Sequence, residues 1–132
     1  TPQIPSKERC ALRINLLREE LDELQEAIEQ NDLTEIADAL CDLQYVLSGA
    51  VLEFGLGEKF VSLFDEVHRS NMSKACSNQN EVDETVAHYQ SAGEEVTTKV
   101  SGEKINIHRL SDNKVLKNKC YSPADLKSIL EK

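Results

Sequence analysis

The chain contains no tryptophan, one methionine, three prolines and five glycines among its 132 residues, and only 5% of it is aromatic. With so little aromatic bulk, any core must be built from aliphatic side chains, which suits a helix-rich protein. No apolar run approaches the ~18 to 20 residues that a membrane span needs, and none reads as the apolar segment of a secretory signal. Membrane insertion is therefore not expected. Cys10, Cys41, Cys76 and Cys120 show neither C-x-x-C spacing nor paired histidines, so zinc is not indicated. Cys10 and Cys41 fall within helical patterns, where free thiols act as small hydrophobes, and a reducing cytoplasm is the expected setting. Basic charge is also scarce: 15 Lys and Arg stand against 24 Asp and Glu, a net charge of −9. A field of that sign repels nucleic-acid backbones, which argues against polymeric DNA or RNA as a partner. It admits a small phosphorylated ligand when cations bridge the two.

The acidity is confined to one part of the chain. Residues 1–60 carry 13 acidic and 5 basic side chains, a balance of −8, whereas residues 61–132 carry 11 and 10, a balance of −1. A chain of this length makes one compact domain, or a core with a small appendage. It opens Thr1-Pro2-Gln3-Ile4-Pro5 without an initiator methionine, which points to a trimmed start or a missing leader and leaves room for a further N-terminal element.

Helical periodicity is strongest near the start. Pro5-Ser6 reads as a stop followed by an N-cap, and Ile14, Leu17, Leu21, Leu24 and Ile28 recur in steps of three and four, giving a first helix over about 6–30. Asn31-Asp32 is a turn and N-cap signal, and a second helix follows over about 33–54 with Ile36, Leu40, Leu43, Leu47, Ala50 and Phe54 as its stripe, closed by Gly55. So short a connection predicts an antiparallel hairpin. A third helix is expected over about 58–72 with Phe60, Val61, Phe64 and Val67 inward. Residues 76–80 read as a polar linker, separating a helical core at 1–75 from an α+β appendage at 81–132. The appendage reads as a helix at 81–92, strands at 96–100 and 105–110 around Ser101-Gly102-Glu103, a short strand at 115–117, and a last helix from Ser122-Pro123 to Leu130. The expected fold is therefore mainly α, a helical hairpin or bundle with a small C-terminal α+β appendage.

Two carboxylate clusters face each other across the predicted hairpin. Glu20 and Glu23 are spaced i,i+3 on the first helix, and Glu35, Asp38 and Asp42 are spaced i,i+3,i+7 on the second, so each set lines one side of its helix beside the apolar stripe. Carboxylates brought together in this way repel and raise one another's pKa unless a hard cation sits between them. Mg²⁺ suits a few carboxylates completed by substrate phosphates, and Mn²⁺ is the alternative. A cation lowers the pKa of attacking water, and a neighbouring free carboxylate can take its proton. Glu19, Asp22, Glu26 and Glu29 read as a solvated face. Glu35 lies in the first turn of its helix, where the macrodipole favours a negative charge in any case. On the third helix Arg69, Asn71 and Lys74 offer donors to phosphate oxygens or a base, although cations near a helix end also serve its dipole. Tyr45 and Phe64 could stack a base, core packing being their ordinary role.

Glu19-Glu20-Leu21-Asp22-Glu23-Leu24 and Glu35-Ile36-Ala37-Asp38-Ala39-Leu40-Cys41-Asp42-Leu43-Gln44-Tyr45 resemble the paired acidic motifs of the all-α nucleoside triphosphate pyrophosphohydrolases. That superfamily includes MazG, the dimeric dUTPases and phosphoribosyl-ATP pyrophosphohydrolase. Val67-His68-Arg69-Ser70-Asn71-Met72-Ser73-Lys74 is similar to the MazG-like branch. The resemblance covers residues 10–75. It implies Mg²⁺-dependent cleavage between the α and β phosphates of a nucleotide in a homodimer or homotetramer, with Glu20, Glu23 and Asp42 as metal ligands. It also implies Glu19 as a further ligand or the group that orients water, with Asn71 and Lys74 contacting the nucleotide. This chain departs from the usual Glu-x-x-Asp second motif, because residue 39 is alanine. Asp38 or Glu35 is then the candidate replacement. Phosphoribosyl-ATP is the alternative substrate, and a non-catalytic acidic interaction module is the alternative outside the enzyme class.

Overall fold

The computed structural model describes residues 1–132, which fold as two compact units, Thr1–Phe60 and Val61–Lys132. The first is a helical hairpin of α1 (Lys7–Glu29) and α2 (Leu33–Glu53). Ser6 caps α1 by accepting the Arg9 N–H at 3.3 Å, and Asp32 caps α2 by accepting the Glu35 N–H at 3.2 Å. Between them Asn31 adopts the left-handed conformation, φ 54°, which an asparagine tolerates and which reverses the chain within a few residues. The open end of the hairpin is tied by Glu53, whose Oε1 accepts from Arg9 Nε at 2.9 Å and Arg13 Nε at 3.1 Å. Arg13 crosses so close to α2 that a Cβ on Gly49 would lie 2.7 Å from its Nη1, so a larger residue there would displace the guanidinium end of that side chain.

The apolar stripes of α1 and α2 are not enclosed. Ala27 and Ala39 are the buried residues of the pair, at 4% exposure each, and Leu17, Leu24, Ile36 and Leu43 are half-buried. Leu21 remains 56% and Leu40 51% exposed, and Ile14, Ile28 and Leu47 are exposed as well. Each stripe spans a wide arc of its helix, and one neighbouring helix covers only part of that arc. The closest packing therefore falls on the two alanines. No helix of the chain is long and apolar enough to cross a membrane.

The second unit holds α3 (Phe60–Met72, beginning at the unit boundary), α4 (Gln79–Ser91), β1 (Val96–Ser101), β2 (Lys104–Arg109), β3 (Val115–Leu116) and α5 (Leu126–Leu130). The strands form an antiparallel sheet in the order β1-β2-β3, with Val100 opposite Ile105, Thr98 opposite Ile107 and His108 opposite Val115. Gly102 at φ 60°, followed by Glu103 outside the left-handed region, closes the β1–β2 hairpin with the backbone twist of a type II′ turn. The core gathers Cys76, Val82 and Ile107, with Val86, Tyr89, Val96 and Ile105 packed against them.

Three sequence expectations are corrected in this unit. The segment 76–80 is not a linker: Cys76 is wholly buried, and its N–H and C=O pair with the Ile105 C=O and N–H at 2.7 and 2.8 Å, while Asn78 caps an α4 that starts at Gln79. The last helix begins at Leu126 rather than at Ser122-Pro123. Ser122 N–H donates to Ser73 Oγ at 2.9 Å, Asp125 N–H donates to Glu66 at 2.7 Å, and Arg69 reaches the Pro123 carbonyl at 3.2 Å, so residues 122–125 are held along α3 and Asp125 becomes the N-cap. On α3 the buried residues are Leu63 and Ser70, and Val61 and Phe64, expected inward, are exposed.

Candidate metal centre

Glu20 and Glu23 stand one turn apart on α1, and the reversal at 30–32 brings Asp42 of α2 alongside them. One carboxylate oxygen from each lies within 4.8 Å of the others. The Glu20 carboxyl is held above the ordinary carboxylate range, first by desolvation, then by the hydrogen bond it shares with Glu23 and by repulsion from Glu23, Asp42 and Glu19. Its Oε2 is buried and has no hydrogen-bond partner. A buried acceptor without a donor is costly, and a nearby pair of carboxylates adds repulsion. A hard cation removes both penalties at once. The donor set is anionic oxygen without sulfur or imidazole, which fits Mg²⁺ or Mn²⁺ rather than zinc or copper.

Glu35 and Asp38 do not join that trio. With Glu23, Glu26 and Gln30 they line an adjoining open pocket of about 340 Å³ whose remaining walls are Ala27 and Ala39. Glu23 therefore belongs to both the trio and the pocket. Ala39 is buried where the helices pack and shares a pocket wall with Ala27, so the position at which the resemblance implies a carboxylate holds a methyl group. Glu26, expected on a solvated face, is exposed and also forms part of the open pocket's wall, because it lies one turn beyond Glu23 on the same side of α1. Glu19 is exposed and acts on Glu20 through its charge.

The three donors expected on α3 belong to the second unit and are not equivalent. Arg69 is committed: its Nε and Nη2 grip both oxygens of Glu66 at 2.6 and 2.9 Å while Nη2 also reaches Pro123 O. Asn71 is exposed, and Lys74 is half-buried with its carbonyl accepting from Asn118 N–H at 2.9 Å. The Arg69 fork and the Asp125 N–H together hold Glu66 down to about 2.

Glu66 was legible in principle, since Glu66 and Arg69 are spaced i,i+3 on one helix face. A second group had no local signal: Thr85 and Asn118, both buried, meet through Thr85 Oγ1 to Asn118 Oδ1 at 3.3 Å, and Asn118 Nδ2 donates to Ala75 O at 3.1 Å. Both hold the second unit together and neither adjoins the acidic trio in sequence.

A family model described as phosphoribosyl-ATP pyrophosphohydrolase matches residues 1–71, a span that contains all three trio residues and the pocket. The chain is also similar to an uncharacterized protein, L479, of Acanthamoeba polyphaga mimivirus, with 24% identity over an alignment covering 91% of this chain and 82% of that protein.

Proposed function

The chain belongs to the phosphoribosyl-ATP pyrophosphohydrolase family, within the MazG-like all-α nucleoside triphosphate pyrophosphohydrolase superfamily, and from that premise we propose that it hydrolyses the α–β phosphoanhydride of a (deoxy)nucleoside triphosphate in a Mg²⁺-dependent reaction. Water adds to the α-phosphorus, the bond from that phosphorus to the bridging oxygen breaks, and a nucleoside monophosphate and pyrophosphate leave. The observation that carries this reading is the trio of Glu20, Glu23 and Asp42 around the orphaned Glu20 Oε2. When bound, a divalent cation supplies charge neutralisation along the phosphate chain and lowers the pKa of the attacking water.

The chain's own residues divide the remaining work. Glu20, Glu23 and Asp42 would hold the cation, and Glu35 and Asp38 extend the acidic wall around the adjoining pocket. Glu19, exposed beside Glu20, orients the water and accepts its proton. Asn71 and Lys74, which the family resemblance implies as nucleotide contacts, belong to the second unit, where Arg69 is committed to Glu66 and the Pro123 carbonyl. A second substrate reading, phosphoribosyl-ATP, is favoured by the description of the matching family. A pyrophosphate-release assay on a panel of nucleoside triphosphates and phosphoribosyl-ATP distinguishes them. The expected result is Mg²⁺-dependent release that Glu20→Gln or Glu23→Gln lowers by about 100-fold or more, since each removes a cation ligand. Release unchanged in both variants, or none from any substrate, refutes the assignment.

Two further features support an oligomer in a reducing compartment. The exposed Leu21, Ile28, Leu40 and Leu47 form more apolar surface than a lone hairpin covers, and a second copy supplies the missing helices of a bundle as a homodimer or homotetramer. All four cysteines are free thiols, which accords with the cytoplasm.

A further inference from the structure

The outer edge of β1 is open, and its hydrogen-bonding groups are arranged to match a second copy of themselves. On β2, Ile105 spends both its N–H and C=O on Cys76, so it cannot exchange them with its β1 neighbour Val100. Because bonded and non-bonded pairs alternate along an antiparallel ladder, Lys99 and Thr97 are the residues bonded to β2, and the N–H and C=O of Val96, Thr98 and Val100 point away from the sheet. The Leu110 N–H to Glu95 O bond at 2.9 Å continues the same alternation. Three outward-facing residues centred on Thr98 form a self-complementary set. A two-fold axis through Thr98 pairs Thr98 with Thr98 of the second copy and Val96 with its Val100, satisfying every one of these groups.

The side chains agree with the backbone. Thr98 and Val100 point to the same face of the sheet as α4 and, with Val82, Val86, Ala87 and Ile105, line an open groove of about 440 Å³ between α4 and the strand. Val100 is 77% exposed at its rim. In the paired arrangement the second copy's Val96 lies opposite Val100 and covers it, as cross-strand apolar pairs do. Edge strands are commonly protected by a charged side chain. The charge on β1 is Lys99, but its Nζ donates to Asn113 Oδ1 at 2.7 Å, drawing it over the opposite face toward the β2–β3 turn and away from the free edge. The two-fold sets Lys99 against Thr97, so no like charges oppose each other. The second unit itself carries a balance of only −1, so the surfaces that bear the paired strands contribute little like-charge repulsion of their own.

We propose that β1 is a self-association edge through which two copies of this chain join their sheets antiparallel about Thr98. This interface is separate from the apolar face of the hairpin and does not depend on the pyrophosphohydrolase reading. If both surfaces are used, two different isologous contacts in one chain give an assembly larger than a dimer.

Residue-resolved amide exchange on the full chain, combined with sedimentation of a Thr98→Pro variant, tests it. Proline is compatible with an edge strand whose N–H faces outward, so the variant keeps the β1–β2 ladder while removing the central bonds of the pairing. In the unaltered protein the amides of Thr98 and Val100 should exchange roughly tenfold or more slowly than open-edge amides, and this protection should fade on dilution. Thr98→Pro should halve the particle mass and release the Val100 amide, with the Lys99 amide still protected as the sign of an intact fold. Val100→Glu, which sets a carboxylate in the groove without touching the backbone, should also halve the mass. Fast exchange at Thr98 and Val100 in the concentrated protein, or a particle mass unchanged by both variants, overturns the proposal.

Discussion

The two units of this chain treat their carboxylates in opposite ways. In the second, Glu66 lies in the fork of Arg69 and accepts the Asp125 N–H, and Asp112 accepts from Arg109 and from the Lys114 N–H. In the first, Glu20, Glu23 and Asp42 face one another, with an oxygen of Glu20 buried and unpartnered. Glu53 shows that the first unit can pair a carboxylate, since Arg9 and Arg13 both reach it. The orphaned Glu20 oxygen is therefore a local departure from the rule that buried polar atoms are paired. Such departures mark sites where a ligand supplies the missing charge. The packing differs in the same sense: the second unit encloses Cys76, Val82 and Ile107, while the first buries little beyond two alanines.

The contrast in packing is the one with the largest expected effect on stability. Ile107→Ala empties a wholly buried position and should cost about 2–5 kcal/mol in the second unit by chemical denaturation. Leu21→Ala, at a half-open position, should cost under about 1 kcal/mol in dilute protein and more at concentrations where copies associate. Equal costs for the two at every concentration would erase the distinction. An effect between these two is expected from Asn118→Leu, which takes away the acceptor of the Thr85 hydroxyl and of the Cys120 N–H and the donor to the Ala75 carbonyl, and should cost about 1–3 kcal/mol. A neutral substitution would show that this network is dispensable.

How much of this was legible in the sequence follows from the range of the forces involved. Caps at Ser6 and Asp32, the hairpin connection and the strand alternation around Gly102 are local, and α1, α2, β1 and β2 lie where periodicity and turn chemistry put them. Glu20, Glu23 and Asp42 were also legible, because helical spacing and one short turn suffice to superimpose their faces. What failed depended on contacts distant in sequence. Cys76 looked like part of a polar linker because its partner, Ile105, lies 29 positions away in the chain. The start of α5 was misplaced because Ser73, Glu66 and Arg69 hold residues 122–125, and no local pattern records that. Periodicity reports an apolar face and not what covers it, so it does not foretell that Leu21, Ile28 and Leu40 of the hairpin stay exposed.

The smallest effect lies in pH dependence, and its sign differs between the units. Glu20 has a raised pKa, so the native state without cation binds more protons than the unfolded chain, and stability declines as pH rises through that raised value. Glu66 is held at about 2, so its contribution is present above the ordinary 4.5 and is lost as pH falls toward 2. Glu20→Gln should therefore flatten the decline at rising pH, and Glu66→Gln should flatten the loss in acid. The same direction from both variants would contradict the assigned environments.

Titration calorimetry with Mn²⁺ or Mg²⁺ on the unaltered protein and on Glu20→Gln tests the central claim most directly. The account predicts binding at a defined stoichiometry in the unaltered protein, weakening as pH falls because the ligands must lose their protons, with that binding lost or reduced by about 100-fold in the variant. Absence of saturable binding, or binding equal in the two proteins, would contradict it.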